Sequence, residues 1–142
     1  MSPLSNLTWR FVKGKVSYED IMRLEGHFQV RFPELYATTI LSFHGGRPKP
    51  NRFDTEQSKG YVFKSLLPIS HRYSSSMIEV YEWIGNRLPT GCIPFASDPT
   101  GNYICFNYAA NPRNPQVVLW NHETGQCEVA APSFVQFMHG LY

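Results

Sequence analysis

"IPFASDPTGNYICFNY", residues 93–108, decides the fold of this chain. Two apolar, aromatic runs flank Asp98-Pro99-Thr100-Gly101-Asn102. The polar middle admits two readings: an active-site loop carrying Asp98 and Asn102, or a hairpin turn. The turn has a mechanism. An Asp side chain accepts N–H bonds from residues ahead of it, Pro suits the second turn position, and Gly takes positive φ. Ile104 and Phe106 then share one face of the second strand. On this reading Asp98, Gly101 and Asn102 hold a sheet together and perform no chemistry.

Further strands follow the same grammar. "GCIPFA", "NYICFNY", "QVVLWNH" and "CEVAA" are short, branched or aromatic, and separated by turn residues. Strands joined by such short turns pair antiparallel, because parallel pairs need a long crossover. "YVFKSLLPI", residues 61–69, reads as one earlier strand. The segment before it, "RPKPNRFDTEQSKG", lacks periodicity and reads as a surface loop over 47–60.

Helices occupy the rest. Ser17 caps a helix with Ile21, Leu24 and Phe28 on one stripe, and Asp20 stands at the capping-box position. Phe32-Pro33 is expected to end it, since a residue before proline avoids the α region. Pro33 opens a second helix, "PELYATTILSFH", which Gly45-Gly46 stops. "SSSMIEVYEWIGNRL" carries Met77, Val80, Tyr81 and Ile84 on one face of a third. "PSFVQFMHGLY" is a last helix with Phe134, Phe137, Met138 and Leu141 aligned. The predicted class is α+β: one domain over 1–142, a mostly antiparallel sheet, and helices packed on one face.

Composition agrees with a packed protein. Hydrophobic residues make up 42% and aromatics 15% of the 142 residues, too many for a disordered chain. No apolar run is long enough to span a membrane, and residues 1–15 lack the apolar centre of a secretory signal. A cytoplasmic location is therefore expected. The net charge of +2 is uneven: residues 1–72 balance at +5 and residues 73–142 at −3. Arg47, Lys49 and Arg52 belong to the basic half, and Glu79, Glu82, Asp98, Glu123 and Glu128 to the acidic half. Either set is a candidate for meeting a protein partner of opposite charge. Trp9, Phe11 and Trp83 belong either to the core or to an interface.

Catalytic and cofactor patterns are missing. The five histidines form neither His-Glu-x-x-His nor His-x-His, and the three cysteines, Cys92, Cys105 and Cys127, contain no Cys-x-x-Cys. His122 and Glu123, read as neighbours on a strand, point to opposite faces and cannot share an ion. The cysteines read as buried reduced thiols. Phosphate-loop, dinucleotide and serine-hydrolase signatures are absent, so no cofactor, no metal and no enzymatic activity are expected. Cations interleaved with Phe53 and Tyr61 could serve a nucleic acid, but no nucleic-acid-binding motif accompanies them, and that partner is not expected.

Taken in order, the motifs resemble the SUKH superfamily, which includes the yeast cell-wall synthesis regulator and many bacterial immunity proteins. The resemblance runs through Leu24-Glu25, Phe32-Pro33 with Tyr36, and Gly45-Gly46-x-Pro48. It continues through Ile93-Pro94-Phe95-Ala96, Asp98, Gly101-Asn102 and Ile104-Cys105-Phe106. Val117-Val118, Trp120, His122-Glu123, Ser133-Phe134 and Phe137 complete it, so that it covers residues 16–141. His44 stands where Asn usually precedes the two glycines, and Asn107 where Asp is common. The resemblance implies an α+β fold without catalysis. It also implies an immunity protein that neutralises a polymorphic or contact-dependent toxin, for example a nuclease encoded nearby, by binding it. The alternative it implies is a regulatory scaffold like the fungal members. The motif turns at His44, Gly45, Gly46, Pro48, Asp98, Gly101 and Asn102 are then structural and border a binding cleft.

Overall fold

The computed structural model describes residues 6–142. The reading of residues 1–15 as free of a secretory signal therefore falls partly outside the described residues. In chain order the elements are β1 (Thr8–Arg10), α1 (Tyr18–Phe28), α2 (Glu34–Phe43), β2 (Arg47–Lys49) and β3 (Arg52–Phe53). There follow β4 (Tyr61–Val62), β5 (Ser65–Leu66), α3 (Met77–Ile84), β6 (Cys92–Ser97) and β7 (Tyr103–Asn107). β8 (Gln116–Trp120), β9 (Cys127–Ala131) and α4 (Phe134–His139) complete the chain.

The main sheet has five antiparallel strands in the order β5-β6-β7-β8-β9. Residues 93–108 lie within its β6–β7 hairpin. A bulge falls between Pro94 and Ala96, and Phe95 within it is fully buried and stacked 4.3 Å from Phe106. A bulge re-aims side chains on the bulged strand, and here Ile93, Phe95 and Ala96 all join one core. That core also takes Ile104, Phe106, Val117 and Leu119 from the sheet. The buried residues of all four helices pack on this same side: Ile21, Leu24, Tyr36, Ile40, Met77, Val80, Phe134, Phe137 and Met138. Tyr36 is its aromatic hub, with the rings of Phe32, Phe95, Phe106 and Phe134 all within 5.9 Å of it, mostly edge to face. A smaller cluster of Leu88, Cys92, Cys105, Val118 and Trp120 fills the opposite face, covered by Tyr81 and Ile84.

Local chemistry sets the helix starts. Ser17 and Ser76 each form a complete capping box, with Asp20 and Glu79, and Ser133 caps α4 through the Gln136 N–H. Each satisfies backbone donors that a helix start leaves free.

Four sequence expectations need correction. α1 ends at Phe28, not at Phe32-Pro33, because Gln29 takes the left-handed conformation at φ 57°. The Glu25 carboxylate then accepts from the Phe32 N–H at 2.8 Å, which fixes the link to α2. The expected surface loop over 47–60 contains β2 and β3, and its Phe53 is buried in the core. Residues 61–69 are not one strand. β4 pairs with β3 and β5 with β6, and the switch occurs where the Phe63 N–H donates to Asn51 and the Lys64 N–H to Ser97. Finally, β8 stops at Trp120, so His122 and Glu123 lie in a turn instead of on opposite faces of a strand. The Asn121 side chain makes that turn by accepting from the Glu123 and Thr124 N–H groups.

Candidate functional site

The turn at 98–102 is built around a buried carboxylate. Asp98 Oδ1 accepts from the backbone N–H groups of Thr100 and Asn102, both at 2.8 Å. Asp98 Oδ2 accepts from the Thr100 hydroxyl at 2.9 Å and from Asn102 Nδ2 at 3.2 Å. Asn102 Oδ1 in turn accepts from the His122 backbone N–H at 3.1 Å and meets His122 Nδ1 at 2.7 Å. Since an amide oxygen only accepts, Nδ1 carries the proton. Gly101 turns at φ 98°, where a side chain would be strained, although its Cβ would meet the His122 ring only at ordinary contact distance. This Asp–Asn–His chain has the outline of a catalytic relay, but its carboxylate is occupied by the turn's own donors. Its amide link transmits no proton to a nucleophile.

His44 performs a second stitching role. It is buried, and its ring bridges two segments far apart in sequence. Nδ1 meets the Gly14 carbonyl at 2.7 Å, and Nε2 lies 2.9 Å from the Ile69 N–H. The carbonyl can only accept and the N–H can only donate, so the ring is neutral with its proton on Nδ1. Burial lowers its pKa from the ordinary imidazole value, and nearby Lys13 adds to this, while the Gly14 bond and Asp20 oppose it. Gly45, at φ 69°, turns the chain after it, and Pro48 is the buried middle residue of β2.

The two segments that His44 ties together are the walls of a cleft of about 610 Å³. One wall is residues 14–16 with Asp20, Arg23, Leu24 and His27 of α1, and the other is residues 69–73 with Ser76, Ile78 and Glu79. The Tyr73 hydroxyl accepts from the Gly14 N–H at 2.8 Å and closes one end. The floor is apolar through Leu24, Ile69 and Ile78, and the rim is mixed in charge.

The candidate partner-binding residues separate. Arg47 and Lys49 are exposed on β2, and Arg52 is exposed on β3, donating to the Gly60 carbonyl at 3.3 Å. Among the acids, Asp98 is committed to its turn and Glu79 to the Ser76 capping box. Glu128 accepts from the Thr55 hydroxyl at 2.7 Å and from the Tyr61 hydroxyl at 3.1 Å. Glu82 and Glu123 are exposed, one on α3 and the other in the β8–β9 turn. Of the three aromatics, Trp9 stacks on Phe43, whereas Phe11 and Trp83 are 69% and 57% exposed.

The three thiols differ in burial. Cys105 is fully buried, which holds its thiol well above its usual pKa. Cys92 is buried, but Cys127 is half-buried, contrary to the expectation for all three. Among the described residues no group of three or more His, Cys, Asp or Glu side chains gathers to hold a metal. No helix among them is long and apolar enough to cross a membrane.

Sequence reasoning missed Gly14 and Tyr73 of the cleft end, the Lys13–His44 backbone bond, and β1 altogether. Nothing local marks them, because their partners lie 30 to 59 residues away. Phe11 did carry a signal, as a large apolar residue inside the basic run "RFVKGK".

A family model described as SMI1 / KNR4 family (SUKH-1) matches residues 15–140. A search of curated proteins finds no match to the chain.

Proposed function

The chain belongs to the SMI1 / KNR4 family (SUKH-1), and on that premise we propose that it is a binding protein without catalytic activity. Specifically, it is a cytoplasmic immunity protein of a bacterial polymorphic or contact-dependent toxin system, and it neutralises its cognate toxin by direct contact. The observation that carries this reading is the match over residues 15–140, because the family is generally one of non-catalytic immunity and regulatory proteins. The geometry supports it in two ways. Of the residues with catalytic outline, Asp98 and Asn102 are committed to the turn's own hydrogen bonds, and His122 Nδ1 is held by Asn102. The cleft's two walls are tied to each other through His44 and through the Gly14–Tyr73 hydrogen bond, and pre-organisation of that kind lowers the cost of binding.

Neutralisation on this reading is steric. A toxin segment seated between residues 14–16 and 69–73 places the body of the chain over the toxin's working surface. The test is co-expression with the toxin domain encoded by the neighbouring gene. Growth is rescued and the two proteins co-purify as a stable complex. Continued killing, or a neighbour that is not toxic, overturns the reading. Capture of host signalling proteins by the same bait would instead point to a regulatory scaffold.

A further inference from the structure

β1 and β2 form a two-stranded ribbon in which Thr8 pairs with Lys49, Trp9 with Pro48 and Arg10 with Arg47. Alternation gives the ribbon two unlike faces. Trp9 and Pro48 turn inward, where Trp9 stacks on Phe43 at 5.1 Å. Arg10, Arg47 and Lys49 are all exposed on the outer side. Arg10 and Arg47 stand directly opposite each other, an arrangement that destabilises a strand pair. Among the described residues the single ion pair is Arg23 with Asp20, so no carboxylate relieves the ribbon's cations.

The next residue adds a second anomaly. Phe11 has φ 56°, a left-handed backbone that is uncommon for a bulky side chain, and yet its ring is 69% exposed. The Arg47 guanidinium covers one face of that ring at 4.9 Å from its centre. Val12 beside it is 45% exposed, and Lys13 follows. Strain, repulsion and an exposed ring converge on one spot. An exposed aromatic rimmed by cations is the anatomy of an interface anchor.

We propose that the outer face of the ribbon, with Phe11 as its anchor, docks an acidic protein surface that has a pocket for an aromatic ring. The chemical identity of the surface stands on the ribbon alone, and only the naming of that protein as the toxin rests on the immunity reading. Charge complementarity selects the partner: unpaired guanidinium and ammonium groups gain most from carboxylates. A protein is favoured over a nucleic acid because the ribbon exposes one ring, not the series of rings on which bases stack. The ribbon adjoins the cleft through Lys13, whose N–H donates to the His44 carbonyl at 2.7 Å. One partner can therefore engage both.

The test compares wild type with Phe11→Asn, which tolerates the left-handed backbone, and with Arg47→Glu, which places opposite charges across the ribbon. Binding to the toxin domain encoded next door is measured at low and high salt. Phe11→Asn weakens binding by roughly tenfold or more, and Arg47→Glu slows association by about tenfold and flattens its salt dependence. Thermal stability of Arg47→Glu stays equal or rises, so binding and stability move in opposite directions. Wild-type affinity in both variants overturns the surface and leaves the immunity reading standing. If wild type itself fails to bind that domain, the immunity reading falls. A labelled peptide alternating Glu and Phe, with a Lys and Phe peptide and single-stranded DNA as controls, then decides the surface. Salt-sensitive binding of the acidic peptide that Arg47→Glu abolishes supports it. Tighter binding of the DNA, or no preference for the acidic peptide, overturns it.

Discussion

Cys92 opens β6 and Cys127 opens edge strand β9, with β7 and β8 between them, yet their sulfurs lie 4.0 Å apart. Register shows the separation: Cys92 pairs with Asn107 at one end of β7, whereas Cys127 pairs with Trp120, which pairs with Tyr103 at the other end. Both cysteines pack in the small cluster around Trp120, on the sheet face opposite the main core.

That contact orders the thiols by reactivity. The hydrogen bond with Cys92 lowers the Cys127 pKa, while the same bond and burial raise that of Cys92. Burial raises Cys105 as well. A thiolate is the nucleophile, so alkylation of the native protein modifies Cys127 first and leaves Cys105 untouched until unfolding. Peptide mass mapping over time reads the order, and early labelling of Cys105 contradicts it.

Asp98→Ala removes a buried acceptor that serves two backbone N–H groups. The Asn102 N–H is left without a partner in a buried site. Stability falls by about 2–3 kcal/mol, seen as a lower urea midpoint with unchanged slope. A loss below about 0.5 kcal/mol would show that the turn holds without its carboxylate.

His44 makes stability depend on pH. In the unfolded chain it titrates near 6.5, and in the folded chain lower. As pH falls the unfolded state takes up the proton first, so the stabilisation is fully present above about pH 6.5 and is lost as pH drops toward the folded value. A proton on Nε2 would also face the Ile69 N–H. His44→Asn removes this acid-linked loss. Urea midpoints of both proteins across this range measure it, and parallel pH profiles would refute it.

Tyr36 is fully buried and its hydroxyl has no hydrogen-bond partner. The same burial pushes its pKa far up. Tyr36→Phe keeps the ring contacts and deletes the orphaned hydroxyl, so stability rises by about 1 kcal/mol. A drop on calorimetry would mean that the hydroxyl is satisfied.

Much of this architecture is legible wherever local chemistry decides. The capping boxes at Ser17 and Ser76, the Asp98 turn and the apolar alternation of β7 each act within a few residues. The ribbon is not legible, because three-residue strands carry no period and its partners are set by tertiary packing. Gln29 was hidden for another reason: a left-handed Gln has no distinctive residue type, whereas a Gly would have announced the helix end. The split of 61–69 depends on where Asn51 and Ser97 offer carbonyls, a fact of the assembled sheet. As for the site, the charges of 47–52 were visible but not their alignment with Arg10. The acids looked like a set only because side-chain bonds to Thr55, Tyr61 and Ser76 do not show in a one-dimensional pattern.

The ribbon also encloses both first helices, since Thr8 and Lys49 meet across 41 residues. Closing so long a loop carries an entropic cost that contacts must first offset. α1 and α2, packed into the common core, shorten that search. Arg10 stands beside Arg47 and Lys49 only where that loop is closed. A partner that grips this face binds copies in which the loop is closed in preference to unfolded ones and, by mass action, holds them folded.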